Sequence, residues 1–177
     1  MEKRFKKIPF LIAALLVSAC GRSREPGVRI NTASMPDQVV KNFSLDKYVM
    51  AERKWNFQAS IANVYEKRSS IDAANIRMMF YDGGKVASVI SSDRAVMDTI
   101  TGDVKAAGNV VMVSLLRGTT LYADSMNYNS KAGQILSDSR IRQERDDAVV
   151  TGTGLTASAD LSEASILKDV TVVKKIK

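Results

Sequence analysis

The chain has 177 residues, 45% of them apolar, with 26 basic and 19 acidic side chains and a net charge of +7. That length supports one ordinary domain with its own core. It contains no histidine and one cysteine, Cys20, which excludes Ser–His and Cys–His nucleophile pairs, the commonest general base and the commonest zinc ligand, and any intrachain disulfide.

Chemistry would therefore rest on carboxylates, Lys or Tyr, and no motif gathers them. Asp146-Asp147 sits in a charged stretch, RQERDDA, that reads as a solvated turn. Gly83-Gly84 lacks the Lys-Ser/Thr of a phosphate loop, and Gly152-Thr153-Gly154 lacks the rest of a dinucleotide fingerprint. The expectation is a non-enzyme without cofactor or metal.

At the N-terminus, Lys3, Arg4, Lys6 and Lys7 precede the apolar run Ile8 to Ala19 and then Cys20. The run is too short for a hydrocarbon core, which takes about 20 residues, and its order is that of a secretory signal. Val17-Ser18-Ala19-Cys20 resembles the lipobox of bacterial lipoproteins, in which cleavage precedes an acylated Cys. This resemblance implies a signal peptide over 1–19 and lipid attachment at Cys20. The remaining part carries about +4, too mild for the basic stripe of a nucleic-acid binder.

Residues 20–42 are polar, contain Pro26, Gly27 and Pro36, show no sustained period, and read as a lipidated Cys and tether. The folded domain is expected over 43–177, where period two takes over. Trp55, Phe57, Ala59 and Ile61 alternate with Asn56, Gln58 and Ser60, placing one apolar face on a strand. Ile71 and Ala73 continue the alternation, which slips by one to Ile76, Met78 and Phe80, as at a bulge. Further strands are predicted at Val86–Ile90, Ala95–Thr101, Val110–Leu115, Thr119–Tyr128, Gln134–Arg142, Ala148–Gly152, Leu155–Ala159 and Ile166–Val173. Turns are predicted at Tyr81–Gly84, Gly102-Asp103, Gly108-Asn109, Asn129–Gly133 and Glu144–Asp147. No helical stripe with caps follows Lys67. The chain reads as an all-β meander, and Ile71-x-Ala73-x-x-Ile76-x-Met78 parallels Leu121-x-Ala123-x-x-Met126-x-Tyr128, a loose repeat that points to a stacked or rolled arrangement.

The later half carries a more specific pattern. Gly108-Asn109-Val110-Val111-Met112 is followed by Gly118-Thr119-Thr120-Leu121-Tyr122-Ala123-Asp124-Ser125-Met126-Asn127-Tyr128 and by Gln134-Ile135-Leu136-Ser137-Asp138. Val150-Thr151-Gly152-Thr153-Gly154-Leu155 and the run to Leu161 close the set. In order and spacing this resembles the LptC family of lipopolysaccharide-export proteins, from about Phe43 to Lys175. Many members carry an N-terminal transmembrane helix where this chain has its lipobox-like segment.

The resemblance implies a twisted open β-jellyroll of two antiparallel sheets that takes lipopolysaccharide from an inner-membrane ABC transporter and passes it to an LptA-like bridge protein. It implies a periplasmic protein held by its lipid anchor, most naturally at the inner membrane. Candidate groove-lining residues are Trp55, Phe57, Ile61, Ile76, Met78, Phe80, Met97, Val110, Met112, Leu121, Met126, Tyr128, Ile141, Leu155 and Ile166. The same residues could instead fill a closed core. Arg77, Lys85, Arg94, Lys105, Arg117, Arg140 and Arg142 are candidate phosphate partners. The last strand, through Ile166, Lys168, Val170 and Val172, is the expected edge toward LptA, with Leu45 to Tyr65 toward the transporter. The alternative is a structural envelope lipoprotein with a closed core that scaffolds partners through its strand edges.

Overall fold

Long alternating segments separated by short polar turns leave the chain one economical solution, an antiparallel meander in which each strand pairs with the next. The computed structural model describes residues 35–175, so the segment expected as a signal peptide, Cys20 and most of the expected tether lie outside the described residues. Nine strands follow one another: β1 (Gln38–Val49), β2 (Glu52–Tyr65), β3 (Ser70–Asp82), β4 (Lys85–Asp98), β5 (Val104–Ser114), β6 (Thr119–Asn129), β7 (Gln134–Glu144), β8 (Ala148–Ser158) and β9 (Ala164–Lys174). They form one sheet in sequence order, antiparallel throughout. The expectation of two sheets is corrected to one.

The reason lies in the middle of the strands. In all eight pairings the ladder of partners skips near its midpoint: Lys41 faces Ile61 and Phe43 faces Ala59, while at the other edge Thr151 faces Thr171 and Thr153 faces Lys168. Asn42, Asn75, Asn109 and Asp169 sit at these skips with φ of 52°, 49°, 47° and 52°, a left-handed conformation that Asn and Asp tolerate better than other side chains. Gly108 has φ 80°, and a Cβ there would lie 2.8 Å from Asp93 Oδ2. The skips line up from strand to strand as a crease, and hydrogen bonding continues through it. Each strand is thus bent into two halves, and the two layers belong to the same sheet.

Contacts between strands that are not neighbours in the sheet show that the halves face each other. The rings of Phe80 on β3 and Tyr128 on β6 meet edge-on, with centroids 4.8 Å apart. Gly102, in the β4–β5 turn, lies against Trp55 of β2 and Ser130 of the β6–β7 turn. Between the layers runs one apolar cluster from Trp55 and Phe57 through Met78, Met97, Met112, Leu121, Met126, Ile135 and Ile141 to Leu155 and Leu161. Burying a side chain of this size contributes roughly 1.5–3 kcal/mol, so the facing halves supply the main folding force. β1 and β9 pair on one side only and are exposed over most of their length.

Several boundaries differ from the sequence reading: Val86–Ile90 and Ala95–Thr101, read as two strands, belong to one strand, β4, which ends at Asp98. β1 starts at Gln38, inside the stretch read as tether; an edge strand exposed over most of its length shows little alternation to detect. Gly108-Asn109 is the crease of β5, and Ala148–Gly152 and Leu155–Ala159 are halves of β8. Glycine and polar residues mark both turns and creases, and only the continuing ladder separates the two.

Candidate functional site

The slip from Ile71 and Ala73 to Ile76, Met78 and Phe80 is the crease of β3 at Asn75, and it keeps all five side chains on the inner face. β6 repeats the device: Leu121 precedes the skip in its pairing with β5, Met126 and Tyr128 follow it, and all three are buried. Of the expected lining residues, Trp55, Phe57, Ile76, Met78, Phe80, Met97, Val110, Met112, Leu121, Met126, Tyr128, Ile141 and Leu155 are buried in the cluster between the layers. Ile166 is partly buried and packs against it.

Ile61 does not join them. It is 41% exposed, because the β2 crease at Ser60 moves the inward register from Ala59 to Ala62. It lies on the outer face in a shallow apolar groove with Ala74, Val96 and Ala107, beside Arg94 and Lys105. Asn56, expected on the solvent side, is buried: its Nδ2 donates to Ser44 Oγ at 3.0 Å and Asp46 Oδ1 at 2.9 Å.

The interior also recruits residues that alternation alone did not single out. Ala62, Ala95, Ala106 and Ala157 let the layers approach, and Leu161 enters from the β8–β9 turn. Burial pushes the Tyr128 phenol above its ordinary pKa, against the lowering effect of a hydrogen bond with Ser130, so it stays neutral near pH 7.

Opposite the crease, the turns of the two layers meet along a seam. An opening of about 490 Å³ lies there, lined by Trp55, Phe80 and Tyr128 below and by Lys47, Lys54 and Lys131 at its margin, with Asp82 and Asp160. The seven Arg and Lys residues expected as phosphate partners are all exposed, and none lines this opening. The lysines that do come from β1, β2 and the β6–β7 turn, too far apart in sequence to read as a group. Among the described residues no cluster of three acidic or sulfur ligands is placed to hold a metal ion.

The family model for LptC, "Lipopolysaccharide-assembly, LptC-related", matches residues 8–175. The chain belongs to this family. The chain is also similar in structure to LptH of Pseudomonas aeruginosa, the LptA-homologous periplasmic component of the conserved lipopolysaccharide transport device. That similarity has a TM-score of 0.53 at 10% identity and covers 69% of this chain and 95% of LptH, and it concerns the fold. No curated protein sequence matches the chain.

For an LptC-related chain the sheet edges are as relevant as the interior. On β9, Lys168, Val170 and Val172 are exposed and Ile166 is half-buried. A Cβ on Gly152 would lie 2.7 Å from the Lys168 carbonyl oxygen and 2.5 Å from Ile166 Cγ2; glycine there permits the close approach of β9. At the other edge, β1 offers an equally unpaired row of backbone groups.

Proposed function

We propose that this LptC-related protein carries lipopolysaccharide with its acyl chains between the two layers of the folded sheet and its sugars outside. The observation that carries the reading is the combination of an apolar interior reaching an amphipathic seam with two unpaired sheet edges. Exposed methylenes cost roughly 0.8 kcal/mol each, so a chain of about twelve costs on the order of 10 kcal/mol in water. An apolar interior removes that cost.

Met78, Met97, Met112 and Met126 are all buried in the interior. Their unbranched thioethers change rotamer more readily than β-branched chains, so they can yield space to a chain of variable length. Lipid arrives from an inner-membrane transporter at the β1 side and leaves at β9, where an LptA-like bridge protein adds a strand and extends the trough as an open jellyroll. Acylation at Cys20 holds the domain to the periplasmic face of the inner membrane; two or more acyl chains give a stable anchor.

A second reading has an observation of its own. Phe57, Met112, Leu121, Ile135 and Ile141 have no exposed surface, as in a closed core serving a structural lipoprotein that joins envelope partners through its edges. Native mass spectrometry of the full chain mixed with lipopolysaccharide separates the two. A discrete complex lost in the Met112→Trp variant, with the fold retained, is expected for the carrier. Absence of any complex with the wild-type protein would favour the structural reading.

A further inference from the structure

The seam carries an arrangement that a closed core does not need. Ser88 on β4 and Ser114 at the end of β5 are both buried, and each reaches across the layers to the β8–β9 turn. The Ser88 hydroxyl donates to the Ala159 carbonyl, and the Ser114 hydroxyl donates to the Asp160 carbonyl at 3.1 Å. The Ala159 N–H in turn donates to the Gly133 carbonyl at 3.1 Å, which ties the β8–β9 turn to the β6–β7 turn.

The same turn inserts Leu161 into the interior at 6% exposure, with φ at 60°. Left-handed backbone is unfavourable for leucine, and it persists only where the surroundings impose it. Buried hydroxyls require partners, and here the partners are the carbonyls of the segment that closes the seam. If the turn lifts, hydroxyls and carbonyls exchange one another for water, and the Leu161 side chain vacates apolar space. Apolar contacts alone would offer no such exchange.

The opening beside this turn is amphipathic. Its volume of about 490 Å³ falls within the roughly 300–1,000 Å³ of small-molecule sites. Trp55, Phe80 and Tyr128 form its apolar side, and Lys47, Lys54 and Lys131 stand at the margin. Of the acidic groups there, Asp160 is occupied by the N–H and hydroxyl of Ser162, at 3.0 and 2.9 Å. Lys54 pairs with Glu52 at an exposed position, and Asp82 also faces the opening. Lys47 and Lys131 form no ion pair among the described residues.

We propose that this opening is a port for an anionic acylated amphiphile, with the Ala159–Glu163 turn as its latch. An acyl chain enters against Trp55, Phe80 and Tyr128 and takes the space Leu161 vacates; the phosphate-bearing headgroup stays outside against Lys47 and Lys131. The proposal rests on the lipid-carrying reading above and adds to it the place of loading, the chemistry recognised there and the segment that moves.

Trp55 is the sole tryptophan of the chain, so its fluorescence reports on the port. The full chain is titrated with a lysophosphatidate brominated on its acyl chain and with the uncharged monoacylglycerol of the same chain, bromine being a contact quencher. Saturable quenching is expected, with the phosphate probe binding tighter by about five-fold per lysine it meets. Lys47→Glu with Lys131→Glu, both at exposed positions, abolishes that preference and leaves the uncharged probe unaffected. Ser88→Ala with Ser114→Ala speeds the approach to full quenching by about five-fold or more, the factor for one lost hydrogen bond. Circular dichroism checks that both variants keep the wild-type fold. An unchanged probe preference in the lysine variant, or an unchanged rate in the folded serine variant, overturns the port. If native mass spectrometry finds lipid bound while Trp55 is never quenched, the port fails and the carrier reading survives. If neither probe nor lipopolysaccharide binds, both fail together.

Discussion

The crease and the seam run along opposite sides of the same folded sheet and are built from different materials. At the crease the layers are joined by the backbone of all nine strands, shaped by Asn42, Asn75, Gly108, Asn109 and Asp169 in left-handed conformations. At the seam they meet through side chains and turns: the hydroxyls of Ser88 and Ser114, the Ala159 N–H and the Leu161 side chain. A covalent hinge opposite a hydrogen-bonded closure is the construction of something that opens on one side. Substitutions at the crease should therefore change stability, and substitutions at the seam should change access.

The largest effect is expected in the interior shared by both. Phe57→Ala removes a fully buried ring that packs edge-on with Phe43, centroids 6.3 Å apart, and should cost about 3–5 kcal/mol, read as a fall in the urea midpoint. At the crease, Gly108→Ala places a side chain at φ 80° and within 2.8 Å of the Asp93 carboxylate. A loss of roughly 1–2 kcal/mol is expected, with lipid uptake per folded molecule unchanged. At the seam, Ser114→Ala should lower stability by only about 1 kcal/mol, because the freed Asp160 carbonyl borders an opening that water can reach. If the Gly108 variant altered uptake, or the Ser114 variant cost as much stability as Phe57→Ala, the division between hinge and closure would be wrong.

The smallest effects are in titration. Burial raises the Tyr128 pKa, so folding favours its neutral form. That contribution to stability is fully present below the ordinary tyrosine pKa near 10 and is lost as pH rises through the higher folded value. A late tyrosinate absorbance step that disappears in Tyr128→Phe is expected. Asp98, the last residue of β4, behaves oppositely. The N–H groups of Thr101 and Ile100 hold its carboxyl below the usual carboxylate range. Its contribution is present above the ordinary carboxylate pKa and lost as pH falls through the lower folded value.

Much of this architecture was legible in the sequence, and the failures have physical causes. Period-two alternation exposed most strands because one face of β2–β8 is buried, and the slip between Ala73 and Ile76 revealed the crease of β3. The first part of β1 escapes the pattern because, apart from Val40 and Phe43, the strand is exposed and its sequence is under little alternating constraint. Ile61 reads as inward because the alternation of β2 looks continuous through Ser60, whereas the ladder skips a pair there and Ile61 turns outward. Gly108-Asn109 reads as a turn because turn and crease ask the same backbone conformation of the same residues. Leu161, alone among polar neighbours, offers no periodicity. The port was beyond reach, since Lys47, Lys54, Trp55, Phe80 and Tyr128 converge only after the sheet has folded over.

The central claim is that acyl chains lie between the layers, and in-cell photo-crosslinking tests it most directly. A photoreactive amino acid is placed at the inward positions Met112, Leu121 and Tyr128 and at the outward positions Lys105 and Asn127. Lipopolysaccharide adducts at the inward set, and none at the outward pair, are the predicted result. Adducts at neither set from a folded, acylated protein, or equal adducts at both, would contradict the account.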